Sequence, residues 1–298
     1  MKIIRPIEIT DAVLDSTNVA ETDEDEWASG TAYTAGDVVM VTDPGVHKRY
    51  EALQSSTGSY PPDNPADWVE LGSTNRWAMF DGSVSAQTER ADTIDVTLVP
   101  PTVVDAVAIF GAEAATIQIT VTDATDGQVY DRTLTMVSGR GVDDWYSYFF
   151  EPIEDINDRV LLDLPPYSGA DIRVQFVRTG STAKCGHIVL GQHRELGITT
   201  RGTSVGITDY SIKETDAYGN TSITQRAYSK RAELDVLVHR DYMASLHKTL
   251  ATYRTTPLVW IGHESEEPTL VYGYYRDFDL TYSGFHYHDC TITVEGLT

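Results

Sequence analysis

Between Asn75 and Gly191, short apolar-rich segments arrive one after another with the two-residue period of a β-strand, and this constrains the fold more than any other feature. Thr93-Ile94-Asp95-Val96-Thr97-Leu98 and Thr116-Ile117-Gln118-Ile119-Thr120-Val121-Thr122 alternate strictly, as strands with one wet face do. Val103 to Phe110 is almost continuously apolar, the pattern of a strand covered on both sides. Asp126-Gly127 signals a hairpin into Val129-Tyr130, and the aromatic run Trp145 to Phe150 reads as a further strand. With Arg159 to Leu164 and Ala170 to Val177, about eight strands are expected, which predicts a β-sandwich or jelly roll over residues 75–191.

The segment Cys185 to Asn220 holds six of the chain's 22 glycines and lacks apolar periodicity, so it reads as a connector into a different unit. That unit, residues 192–298, starts with strands at Ile223 to Tyr228 and Leu234 to Val238. It then places Met243, Leu246, Leu250 and Tyr253 at helical spacing within 240–254, and Pro257 follows as a stop. Strands at Leu258 to Gly262, Leu270 to Tyr275, Phe278 to Tyr282 and Phe285 to Val294 complete a β-barrel-like domain with one packed helix.

At the front, Ile3, Ile7 and Ile9 suit a strand that Pro6 confines to a sheet margin, and residues 21–26 carry five carboxylates in a row of six. Residues 1–26 are therefore expected to be an arm and a solvated acidic linker. Residues 27–74 follow as a small module. Gly36-Asp37 and Pro44-Gly45 punctuate three short strands, and Trp27, Tyr33, Tyr50 and Trp68 supply an aromatic core. The order W-x5-Y-x2-GDVV, Y-E-A-L and P-x2-NP-x2-W resembles small chitin- and cellulose-type carbohydrate-binding modules. That resemblance implies either sugar contact through Trp27, Tyr33, Tyr60 and Trp68 or a spacer whose rings only build a core. Leu53-Gln54-Ser55-Ser56 stands where sugar-binding members carry an exposed aromatic pair, which favours the spacer.

A formal charge of −23, from 45 acidic and 22 basic residues, disfavours nucleic acid as a partner, because phosphate neutralisation needs clustered Lys and Arg. No apolar stretch is long enough to span a bilayer, and no signal peptide is read. The two cysteines, Cys185 and Cys290, provide no disulfide framework, although one bridge between them stays open.

Chemistry is sparse. His286, His288 and Cys290 alternate in the last strand, with His263 as a fourth partner for zinc, but the same residues suit a half-buried strand, so no metal and no cofactor are expected. His187 beside Cys185 reads as a strand residue. Gly202-Thr203-Ser204-Val205-Gly206 lacks the strand–turn–helix context of a nucleophile elbow, and Asp143-Asp144 needs a carboxylate across a cleft, so no enzyme is expected.

The end of the sandwich, Tyr167 to Val174 with Cys185 to Gly191, resembles galactose-binding-like jelly rolls. Asp209-Tyr210-Ser211, Thr215 to Asn220, Arg226 to Arg231 and Thr256 to Gly262 resemble tail-tip or baseplate proteins of tailed bacteriophages, of the distal-tail kind. The fold expected is thus mainly β: a three-stranded aromatic module, a jelly-roll sandwich and a β-barrel-like domain. The resemblance implies a virion structural protein, made in the host cytoplasm, that forms a homo-oligomeric ring with other tail proteins and displays the module towards host-surface glycans. A carbohydrate-binding adhesion protein is the alternative. Arg226, Lys230 and Arg231 are the expected assembly contacts, and Asp209, Glu214 and Asp216 are read as turn and interface residues.

Overall fold

A computed structural model describes residues 1–138, 145–150, 154–215 and 218–297. The chain opens with β1 (Lys2–Pro6) and β2 (Leu14–Thr17), then a small module of β3 (Ala32–Tyr33), β4 (Val38–Val41), β5 (Lys48–Ala52), β6 (Ser56–Thr57) and β7 (Trp68–Ser73). Next come β8 (Thr88–Leu98), β9 (Ala106–Phe110), β10 (Thr116–Asp123), β11 (Gly127–Thr135), β12 (Val137–Ser138), helix α1 (Trp145–Phe150), β13 (Glu154–Asp155), β14 (Arg159–Leu161), β15 (Asp171–Cys185) and β16 (His187–Glu195). The remainder is β17 (Ile198–Thr199), β18 (Ser204–Asp209), β19 (Ile212–Thr215), β20 (Thr221–Thr224), β21 (Tyr228–His239), helix α2 (Met243–Thr252), β22 (Leu258–Ile261), β23 (Leu270–Thr281) and β24 (Tyr287–Gly296). The fold is mainly β with one packed helix.

A ten-stranded sheet in the order β14-β9-β16-β1-β22-β23-β24-β21-β17, with β18 also on β21, runs through both the sandwich and the C-terminal half. A five-stranded sheet, β11-β10-β15-β8-β2, lies over one end of it. Ile94, Val96, Ile119, Val174 and Phe176 of the smaller sheet meet Ile109, Ile188 and Leu190 of the larger one in the main core. Ala106, Ala108, Phe110 and Val189 point the other way into a second cluster with Val259 and Tyr272. Both faces of β9 are therefore covered, which accounts for its unbroken apolar run.

The expected N-terminal arm is instead the central strand. β1 pairs with β16 on one side and β22 on the other, and Ile3 and Ile4 are fully buried on opposite faces. Pro6 is tolerated because it lies at the last ladder position, opposite Gly191, where a side chain would strike the Arg5 carbonyl. The boundary at 191/192 also falls inside β16. Ile198–Thr199 and Ser204–Asp209 of the expected connector pair with β21 as β17 and β18, and Ile212–Thr215 pairs with β20, so the segment is strands and tight turns rather than a loose linker, with Gly191 and Gly206 inside strands.

The acidic run is likewise no solvated linker. Glu21 Oε1 accepts from Thr74 Oγ1 at 2.7 Å, Asp23 Oδ2 accepts from Asn75 N at 2.8 Å, and the Glu26 carboxylate accepts from both Thr42 N and Thr42 Oγ1 at 3.0 Å. These three of the five carboxylates meet donors of the module or its exit, which offsets part of the repulsion expected of a like-charge block.

In the C-terminal half, Met243, Leu246 and Leu250 of α2 face Ile3, Leu234, Val236 and Trp260 of the sheet, as the helical spacing predicts. Arg194 on β16 fastens the helix, donating to Thr249 Oγ1 at 2.8 Å and Ser245 Oγ at 2.7 Å. Trp145 to Phe150, expected as a strand, is a short helix. Its rings pair at i,i+4, Trp145 with Phe149 and Tyr146 with Phe150, a local helical solution that an aromatic run of high β-propensity conceals. Cys185 lies in the main core and Cys290 beneath α2, so the two free thiols do not bridge, and burial holds both well above the ordinary thiol value, Cys290 at about 12.

Candidate functional site

The module folds as its rings predict, with the rings packed on one another. Tyr33 and Trp68 are buried and meet edge to face at 5.2 Å; Ala28 N donates to the Tyr33 hydroxyl, and Trp68 Nε1 donates to the Ser59 carbonyl. Trp27 and Tyr60 are half-buried and cross at 71°, so they form no flat platform. Tyr60 donates to Asp43 Oδ2 at 2.6 Å, and that bond holds its phenol up at about 12.

What fixes the module to the sandwich is His47. Its Nε2 lies 2.7 Å from Asp11 Oδ1, its Nδ1 lies 3.0 Å from Glu21 Oε1, and its ring stacks on Trp77 at 4.3 Å. The residue holds a left-handed backbone (φ 49°), a conformation costing about 1–3 kcal/mol that persists where surrounding contacts over-determine it. Burial pushes Asp11 up, but the bonds from His47 and from Gly45 N outweigh it and leave that carboxyl below its ordinary value. The partners of His47 lie 36 and 26 positions away, and no spacing rule in the chain links them.

The three expected assembly residues separate. Lys230 faces inward and pairs with the buried carboxylate of Asp158, which also accepts from Gly111 N at 2.9 Å. Glu267 Oε1 accepts from Asn157 N and Asp158 N at 3.0 and 3.2 Å. Together these groups line a cleft of about 430 Å³ between the sandwich and the C-terminal half, with Phe110 and Tyr272 in its wall. Lys230 is thus a latch inside one chain. Arg226 and Arg231 are exposed, and among the described residues neither has an ion-pair partner.

Beside these arginines the surface is unusually apolar for an exposed edge. Val205 and Ile207 of β18, Ile223 of β20 and Tyr228 of β21 are all exposed, Ile207 by 60%. β19 and β20 form a two-stranded ribbon that joins no other sheet. Asp209, at its base, accepts from Ser211 N and Lys213 Nζ, each at 2.9 Å, and the Ser211 hydroxyl first, then Lys213 and the Ser211 amide, hold it far below the usual carboxylate range. Glu214 is exposed on β19, while Asp216 falls outside the described residues, as do Asp143 and Asp144.

His288 and Cys290 turn into the helix-side core, whereas His286 and His263 are exposed, and the His263 ring bonds Ser265. Among the described residues no three His, Cys, Asp or Glu side chains gather at metal-binding reach. His187 is buried on β16 against Tyr272 at 4.5 Å, and desolvation lowers it to about 4. No helix among the described residues is long and apolar enough to cross a membrane. No family model, curated protein or solved structure matches the chain.

Proposed function

We propose that the chain is a structural subunit of the tail tip or baseplate of a tailed bacteriophage, built into a homo-oligomeric ring or collar alongside other tail proteins. The observation that carries this reading is the β19–β20 ribbon. A two-stranded hairpin is marginal in water by itself, and this one presents Ile223 and a wholly exposed β20 to solvent. A neighbouring copy seated against it would cover the apolar edge of β18 at the same time. Arg226 stands at its base and Arg231 farther along β21, opposite Gly206 of β18, in a chain of charge −23, so each is a cation that a neighbour's carboxylates can pair with, and such a pair fixes register between copies.

In this reading residues 27–74 serve as a spacer clamped by His47, since their rings are occupied in a core. A mass-spectrometric inventory of purified virions, with antibody labelling of the tail tip, tests the assignment. Stoichiometric recovery in virions with label at the distal tail is expected. Recovery only in the host lysate, or label elsewhere on the particle, overturns it.

A further inference from the structure

The outer face of the five-stranded sheet carries three polar rows that run across neighbouring strands. Register aligns Thr97, Arg173, Thr120 and Asp131 in one row, and Asp95, Gln175 and Gln118 in the next. Thr122 stands opposite Asp171 on one side and Gln128 on the other in the third. All of these but Asp95, which sits beside it, line a depression of about 330 Å³. With strands about 4.8 Å apart, four of them make a trough roughly 14 Å wide, open to solvent and backed by the sandwich core.

The chemistry of the trough differs from that of an ordinary wet sheet face. It contains neither Lys nor Glu, the usual solvating residues, and is built from amides, hydroxyls, two aspartates and the guanidinium of Arg173, which pairs with Asp95 beside the trough. The polar groups are also held in place. Asp131 accepts from Gln118 Nε2 at 2.8 Å and from Gln128 Nε2 at 3.1 Å. Asp95 accepts from Arg173 Nε at 2.8 Å and from Gln175 Nε2 at 3.3 Å. Each glutamine spends one N–H in these bonds, which leaves its second N–H and its carbonyl oxygen directed by a fixed amide. Fixed groups that both donate and accept, spread over a shallow trough, match adjacent hydroxyls of a sugar, each of which also donates and accepts. The threonine methyls offer the apolar contact a pyranose face requires.

We propose that this face, rather than the aromatic module, is a binding surface for neutral glycans. Asp131 and Asp171 in the lining, with Asp95 beside it, against the one Arg173 leave the trough mildly acidic, which selects against phosphate-bearing or sulfated polymers. Asp95 and Asp131 are engaged by amides and a guanidinium, which leaves Asp171 alone and no chelating set, so a cation is not the ligand they are arranged for. No ring stacks here, so a single site is weak, and repetition around an oligomer would raise its avidity. The site itself does not depend on the ring and is complete in one chain.

The test is an NMR titration of the full chain with chitotetraose, maltotetraose and a galactose tetramer, with poly(glycerol phosphate) as the anionic probe. At least one neutral oligosaccharide, at about 10 mM, is expected to shift the side-chain amides of Gln118, Gln128 and Gln175. The Gln118→Ala/Gln175→Ala double variant should keep the parent backbone spectrum and bind that sugar at least about tenfold more weakly. No shift with any neutral sugar, shifts confined to residues 27–74, binding unchanged in the double variant, or stronger binding of the polyphosphate would each overturn the proposal.

Discussion

Replacing Ile3 or Ile4 by alanine asks directly whether β1 is an arm or the strand that joins the two halves. Ile3 lies between Arg194 and Trp260 and belongs to the helix-side core; Ile4 lies between His193 and Val259 and belongs to the opposite cluster. Both side chains are fully buried, and relaxation at the centre of a ten-stranded sheet is restricted from both sides. Each truncation should therefore cost about 2–5 kcal/mol, the transfer term plus a residual cavity. Against a total stability of about 5–15 kcal/mol, that is a large loss. An edge arm would give about 0.5 kcal/mol or less. Urea unfolding followed by circular dichroism measures the change, and hydrogen exchange should rise in β16 and β22 together. A loss below about 0.5 kcal/mol, or exchange that rises in only one of the two strands, refutes the placement.

Other outcomes follow from the same contacts. Lys230→Ala strands the Asp158 carboxylate and should lower stability by about 1–3 kcal/mol, towards the lower end because Lys230 is partly exposed, while Arg226→Ala should change it by less than about 0.5 kcal/mol; thermal melts compare them. Desolvation holds His187 near 4, below the 6.5 of a free imidazole, so the unfolded chain binds its proton first. The stabilisation from its neutral form is complete above about pH 6.5 and is lost as pH falls through 4, about 3 kcal/mol in all, and His187→Phe should flatten that part of the stability–pH curve. Trp68→Ala should cost about 3–5 kcal/mol locally, releasing amides of residues 27–74 to exchange while β15 stays protected.

The parts of this fold legible in the sequence are those where a local period matches a burial pattern. Thr93 to Leu98 alternates because β8 has one wet face, and the Met243–Leu246–Leu250 stripe marks the buried side of α2. The misread parts are those where tertiary context outweighed local signals. Pro6 suggested a margin, but its missing donor falls at a strand end, and the adjacent Ile3-Ile4 doublet was the better sign of a strand buried on both faces. Gly186, Gly191 and Gly197 suggested a linker, but they permit close backbone approach in a central sheet. Lys230 belonged by sequence to a basic cluster, and only the fold brings Asp158 to it from 72 residues away. The polar trough was present as outward residues of predicted strands, yet strand register, which sequence does not specify, is what aligns Gln118 with Gln175.

The central claim is that the β19–β20 ribbon, Arg226 at its base and Arg231 on β21 hold copies of this chain together. Sedimentation velocity on the purified full chain, at concentrations from about 1 to 50 μM, measures this directly beside a variant with residues 212–224 replaced by a short glycine linker and an Arg226→Glu/Arg231→Glu variant. The account predicts a single discrete oligomer for the parent, a monomer for the ribbon deletion, and for the charge reversal a weakening that is largest at low salt and shrinks as salt is added. A monomeric parent across that range, or a ribbon-deleted chain that sediments at the parent's size per copy, would contradict it.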